Sequence, residues 1–263
     1  MARIILIETS TALCSVALAE DGVCTHYKAS PEPRAHAAMT APFVKDILDE
    51  AGLKVSDCDA VCVSKGPGSY TGLRVGSSTA KGLCFGAGIP LIAVGTLDVL
   101  AAQAMASTGP ELASGITENL SERPRSVFRS NPAASPAPAI SAIVPMIDAR
   151  RMEVYTAVFS PDGKQLTPTV SSIITPESFA DELAAGPVLF VGDGAPKCRP
   201  LLTSPNALFP EDTSGPFAGC PRASSMAALA EAAFQDGRFE NTAYFEPFYL
   251  KDFVAVLPKN KLF

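Results

Sequence analysis

Apolar residues near the start of the chain fall in three short runs, 4–7, 13–18 and 23–27, with Glu20-Asp21-Gly22 between the last two. Runs of this length, punctuated by turn formers, predict strands, and the short polar turn predicts an antiparallel hairpin. The period then changes. Met39, Phe43, Ile47, Leu48 and Ala51 recur every three or four positions over 36–51, which predicts an amphipathic helix stopped by Gly52. A strand at 60–63, a helix at 71–86, a strand at 90–94 and a helix at 96–105 with Thr96 as N-cap follow. Three leading strands before the first helix differ from the strictly alternating βαβ opening of a dinucleotide-binding fold.

Between about 107 and 140, proline, serine, alanine and charge replace the periodic apolar residues, which predicts an exposed or disordered connection. Order resumes with runs at 143–147 and 152–159, a turn at Pro161-Asp162-Gly163 and a strand near 166–171, a second meander. Thr175-Pro176 predicts a helix start with proline in its first turn. A strand at 188–191 ends in Gly192-Asp193-Gly194, and 222–234 is an alanine-rich helix. The expected fold is α/β: two duplicated half-domains, each a mixed sheet that begins as an antiparallel meander and is flanked by helices. This plan resembles the actin-like, ribonuclease H-like superfamily that includes sugar kinases. The expected division is 1–106, a variable connection over 107–140, and a smaller half over 141–263 whose C-terminal helix (222–236) packs back toward the first.

With 47 % hydrophobic residues in a chain of 263, a real core is affordable and wholesale disorder is excluded. A formal net charge of −6 argues against autonomous nucleic-acid binding, because no basic stripe offsets it. The seven cysteines show no CxxC spacing and several sit inside apolar runs, as buried thiols of a reducing compartment do. The apolar run that opens the chain stops at Glu8, too short for a signal peptide, and no stretch reads as a membrane span. The expected location is the cytoplasm.

Candidate chemistry centres on Lys65-Gly66-Pro67-Gly68-Ser69-Tyr70-Thr71-Gly72-Leu73-Arg74-Val75-Gly76, a glycine-rich turn between a strand and a helix. The free N–H groups at such a helix start can face an anion or a partner's backbone. Glu8-Thr9-Ser10-Thr11 ends the first strand, where an actin-like enzyme places its first phosphate or magnesium ligands; turn capping by Thr9 and Ser10 is the equal alternative. Gly192-Asp193-Gly194 reads either as a second phosphate turn or as an ordinary one, and Asp148 either as a catalytic carboxylate or as a solvated corner. His26 and His36 lack metal-ligand spacing, and His36 is expected to cap a helix or make a surface contact. Gly72, Gly76 and Ala80 make one helix face smooth. Beside the stripe Met39/Phe43/Ile47 it suits a protein partner, or close packing on the chain's own sheet.

The sequence resembles the TsaB family of bacterial tRNA threonylcarbamoyladenosine biosynthesis proteins. The likeness rests on Ile7-Glu8-Thr9-Ser10-Thr11 with Cys14-Ser15-Val16-Ala17-Leu18, on Arg34-Ala35-His36, on the Gly66 to Gly76 block, on Gly95-Thr96-Leu97, and on Pro145-Met146-Ile147-Asp148-Ala149-Arg150-Arg151-Met152-Glu153-Val154-Tyr155. It departs at Glu8, where the family usually has aspartate, and in the long 107–140 connection. The resemblance implies a pseudo-enzyme without the paired metal histidines of the catalytic subunit TsaD. Such a subunit binds TsaD through its N-terminal half, is joined by the ATPase TsaE, and supports threonylcarbamoyl transfer to the adenosine beside the anticodon of tRNAs reading codons that start with A. It implies no cofactor in this subunit, with ATP or ADP and Mg at the partner subunits or the complex interface. It also implies a TsaD-binding surface, used for a homodimer when TsaD is absent, over Met39, Phe43, Ile47, Gly72, Arg74, Gly76 and Ala80. The competing expectation is an ATP-dependent actin-like kinase or hydrolase using Glu8, Asp148 and the glycine turns, with Thr9, Ser10, Gly192, Asp193 and Gly194 around the nucleotide.

Overall fold

The first apolar run, Ile4-Ile5-Leu6-Ile7, is buried to within 1 % on every side chain and forms the centre of β1 (Arg3–Glu8). Side chains alternate across a strand, so β1 feeds two cores at once. In the computed structural model, which describes residues 2–30, 32, 35–108, 139–210 and 218–251, β1 pairs antiparallel with β2 (Cys14–Glu20) and parallel with β4 (Ala60–Ser64). β3 (Val23–Ser30) and β5 (Leu91–Val94) complete a five-stranded sheet of order β3-β2-β1-β4-β5. Ile5, Ile7, Val16, Leu18, Val61 and Val63 face α1 (His36–Ala51) and α2 (Tyr70–Ala87). Ile4, Leu6, Ala17, Ala19 and Cys62 face the opposite layer, where α6 (Ala227–Gln235) lies.

The second sheet repeats the plan. β6 (Ala142–Asp148), β7 (Glu153–Thr156) and β8 (Val170–Ile173) form the antiparallel meander, and β9 (Val188–Val191) and β10 (Ala207–Leu208) add in parallel, giving β10-β9-β6-β7-β8. α4 (Ala180–Ala185) and α5 (Ala195–Cys198) cover one face. The other face packs on Leu97, Leu100, Ala101 and Ala104 of α3 (Thr96–Thr108), whose Val99 reaches the core of the first half. α3 is apolar around most of its circumference because both halves bury it.

Several boundaries differ from expectation. Thr96 is the first residue of α3 rather than its cap, and its hydroxyl is buried without a partner. The Thr175-Pro176 helix start fails: the Thr175 N–H donates to Ser178 Oγ in a local turn, and α4 begins only at Ala180. The 166–171 strand shifts to β8 because Pro168 interrupts it, and the Leu166 N–H is already held by the Val158 carbonyl. The alanine-rich helix opens with a 3-10 turn, Ala223–Met226, where the Ala223 N–H donates to Ser15 Oγ on β2. The expected connection over 107–140 lies almost wholly outside the described residues. All seven cysteines are buried free thiols.

α2 lies on the end of β1 through its glycines. A Cβ on Gly72 would stand 2.1 Å from the Thr9 carbonyl oxygen, and one on Gly76 would stand 2.2 Å from Thr9 Oγ1 and 3.4 Å from Val63. Gly82, on the outer face, has nothing within 4 Å of the equivalent position. Gly76→Val should therefore destabilise the chain by about 1–3 kcal/mol through overpacking, whereas Gly82→Ala should stabilise it by about 0.5–1 kcal/mol through helix propensity. Urea unfolding midpoints check both; equal shifts would contradict this packing.

Candidate functional site

The segment 8–11 leaves the carboxyl end of β1, the edge at which open α/β sheets bind ligands. Here that edge is closed by the chain itself. Glu8, Thr9 and Ser10 have no accessible surface, and Thr11 retains 5 %. The Ser69 N–H donates to the Ser10 carbonyl at 2.6 Å, and Thr9 Oγ1 donates to the Gly72 carbonyl at 2.9 Å, so the glycine-rich turn is seated directly on the segment. Gly66 takes φ +105° to enter this turn, and a Cβ on Gly68 would lie 2.3 Å from the Ser10 carbonyl oxygen. The N–H groups expected to face an anion thus include one at Ser69 that is spent on the chain's own backbone.

Glu8 is turned inward. Its Oε1 accepts from the Ser10 N–H at 2.7 Å and from Ser64 Oγ at 3.0 Å, while Oε2 is buried without a partner. Burial pushes its carboxyl above the ordinary range, against the opposing pull of the Ser10 and Ser64 hydrogen bonds. A magnesium ion needs an ionised oxygen facing a space for several waters, and none exists at Glu8. The residues present therefore do not fit the metal–nucleotide role, and the kinase reading loses its first carboxylate.

Gly192-Asp193-Gly194 ties β9 to the end of β6. Gly192 packs so closely that a Cβ would lie 2.1 Å from the Met146 carbonyl oxygen, and the Gly194 N–H donates to that same oxygen at 3.0 Å. Asp193 Oδ1 accepts from the Asp148 N–H at 3.0 Å. Burial, with the Asp148 carboxylate adding to it, pushes the Asp193 carboxyl up to about 6. Asp148 pairs with Lys197. His36 caps nothing; its Nε2–H donates to the Thr11 carbonyl at 2.9 Å and docks the start of α1 on the segment after β1. Among the described residues no three His, Cys, Asp or Glu side chains converge on a metal position.

The expected partner surface needs correction. Gly72, Gly76 and Ala80 face the sheet, and Phe43 and Ile47 are buried in the core that α1 and α2 share with it. Met39 is half-buried, and Arg74 is exposed but stacked 4.3 Å over the Tyr70 ring. The outward positions include Ala38, Ala41, Pro42, Lys45, Asp46, Asp49 and Glu50 on α1, and Thr71, Arg74, Ser78, Gly82 and Phe85 on α2, with Phe85 89 % exposed. Sequence reasoning missed this face by following the glycine pair. Positions 71, 74, 78, 82 and 85 follow the same three- and four-residue spacing, polar or small throughout except for one phenylalanine.

The family model of TsaD, tRNA N6-adenosine threonylcarbamoyltransferase, matches residues 29–117. The chain is 31 % identical to the TsaB protein of Escherichia coli over 258 residues, 96 % of each chain. It is 40 % identical to that of Haemophilus influenzae over 98 residues, 37 % of this chain and 41 % of the relative. The solved structure of YeaZ from Pseudomonas aeruginosa superposes with a TM-score of 0.70 at 27 % identity, covering 95 % of this chain and all of that one.

The Glu8 geometry predicts a pH effect. A carboxyl whose folded pKa is raised contributes stability that is fully present below the unfolded pKa and is lost as pH rises through the folded value. Glu8→Gln keeps the acceptor oxygen and removes the titration. The urea midpoint of the variant relative to the parent should rise as pH is raised above the ordinary glutamate range; a difference independent of pH would contradict a carboxyl raised by burial.

Proposed function

The chain belongs to the TsaB family, and on that premise we propose that it is a non-catalytic activating subunit of the machinery that forms N6-threonylcarbamoyladenosine on tRNA. The carrying observation is the burial of 8–11 beneath the glycine-rich turn, with Glu8 inverted into the core. In an actin-like enzyme these groups hold a metal and phosphates; here they hold a helix. The reaction then belongs to a partner, TsaD, with the ATPase TsaE, and ATP or ADP and Mg are needed there rather than in this subunit. tRNA is engaged only through the complex, as the net charge of −6 favours. The complex works in the cytoplasm; among the described residues no helix is long and apolar enough to cross a membrane.

The docking half is 1–106. The outer face of α1 and α2 carries small side chains at Ala38, Ala41, Ser78 and Gly82, one large exposed ring at Phe85, and charges at Lys45, Asp46, Asp49, Glu50 and Arg74. The TsaD family model matches the part of the chain that contains both helices. Two related halves presenting the same helix pair can meet in a pseudo-twofold arrangement, and two copies of this chain can meet the same way when TsaD is absent.

Reconstitution tests the reading. TsaD, TsaE and the adenylate-forming enzyme, given threonine, bicarbonate, ATP and substrate tRNA, should form the modified nucleoside only when this protein is added, and this protein alone should neither modify tRNA nor hydrolyse ATP. Product formed without it would overturn the proposal. Phe85→Asp should leave the fold intact and weaken both the TsaD complex and the homodimer by tenfold or more in calorimetry and sedimentation; unchanged affinities would remove the α1/α2 face from consideration.

A further inference from the structure

After α6 the chain crosses back over the molecule in a segment, 240–251, that forms no helix and pairs in a single isolated bridge, Glu240 with Leu91 on β5. It is pinned at separate points. Lys81 Nζ on α2 donates to the Ala243 and Phe245 carbonyls at 3.2 Å each. Phe245 inserts into the core beneath α1 and α2, and the Phe248 N–H donates to the Lys65 carbonyl at 2.7 Å. The Tyr249 ring lies tilted 40° against Tyr70, with centroids 4.9 Å apart, and its hydroxyl accepts a hydrogen bond from Arg74. Lys251 then pairs with Glu153 on β7, with its Nζ 5.7 Å from the Tyr155 ring. One strand of chain thus runs from α2 of the first half to β7 of the second.

The segment is flanked by open hollows. A hollow of about 350 Å³ lies where it passes Arg74, Ser78 and Lys81, and another of about 410 Å³ where it passes Lys65. Tyr244 is 83 % exposed and Phe248 45 %, so Phe245 is the one aromatic of the three that is buried. A segment held by a few polar pins and one buried ring opens far more readily than strands such as β1, whose apolar side chains are all covered.

We propose that 240–251 is a displaceable strap that opens and closes as a unit, and that its closed form restrains the docking face of α2. The second part rests on the docking reading above. Lifting the strap releases Lys81 and Arg74, empties the Phe245 socket beside the Ser78/Gly82/Phe85 face, and uncouples α2 from Glu153. A partner that binds the released form better shifts the strap open, and weakening a pin does part of that work in advance.

Hydrogen–deuterium exchange on the full chain tests the strap itself. Peptides covering 244–251 should exchange far faster than those of β1 and β4, and Lys81→Met should accelerate them at least tenfold while leaving β1 and α6 unchanged. Exchange as slow as in β1, or acceleration spread evenly over the chain, would overturn the strap. For the restraint, Lys251→Gln loosens the strap at the end remote from α2 and should tighten TsaD binding two- to fivefold. Unchanged or weaker binding in a variant with accelerated strap exchange would overturn the restraint. A parent protein that binds no TsaD would overturn the docking reading and the restraint with it, and leave the strap to be decided by the exchange experiment alone.

Discussion

The contact on which the rest depends is the seating of α2 on the segment that follows β1. Two glycines one helical turn apart remove the side chains that would hold the helix away, and the Thr9 backbone and hydroxyl occupy the space. The helix start and the turn before it then bond to 8–11 through the Ser69 N–H and the Gly72 carbonyl. Once α2 is placed there, its opposite face is set outward beside α1, and the carboxyl end of β1 is shut. One packing decision therefore removes a ligand site and presents a helix pair. The same contact leaves Glu8 Oε2 buried without a partner. Such groups cost free energy, and burial raises the Glu8 carboxyl against its hydrogen bonds.

The duplicated sheets acquire their relation through α3 and the C-terminal return. α3 is buried by both halves, and its Gln103 side chain donates to the Cys220 carbonyl at 3.2 Å and accepts from the Arg222 N–H at 3.1 Å. α6 then covers the inner face of the first sheet before the chain crosses α2 to reach β7. The chain's own side chains fill the carboxyl edge of β1 in the first half.

Much of the fold was legible because it depends on period and punctuation. The helix at 36–51 and the strand at 188–191 have the predicted bounds, since an apolar stripe ended by Gly52 and a short apolar run ended by Gly192 leave little freedom. The repeated meander was readable for the same reason, and it carries the actin-like architecture shared with the Pseudomonas structure. Errors arose where a long-range bond overrode a local signal. Ser15 draws the start of the last helix into a 3-10 turn, and the Val158 carbonyl holds Leu166 out of the strand. At the site, residue identity pointed to a close contact at Gly72 and Gly76, and Thr9 makes it. A smooth glycine face serves a foreign helix and the chain's own backbone equally well, and only the position of Thr9 distinguishes them. The strap was invisible because its pins join positions more than ninety residues apart and follow no period.

The central claim is that the phosphate edge of the first half is closed by the chain itself. Calorimetric titration of the isolated full-length protein with Mg–ATP and Mg–ADP, carried to millimolar nucleotide, tests it most directly. The closed edge predicts no saturable heat with either nucleotide. Stoichiometric binding in the micromolar range, lost on substitution of Ser10 or Glu8, would show that 8–11 opens to a nucleotide and would contradict the account.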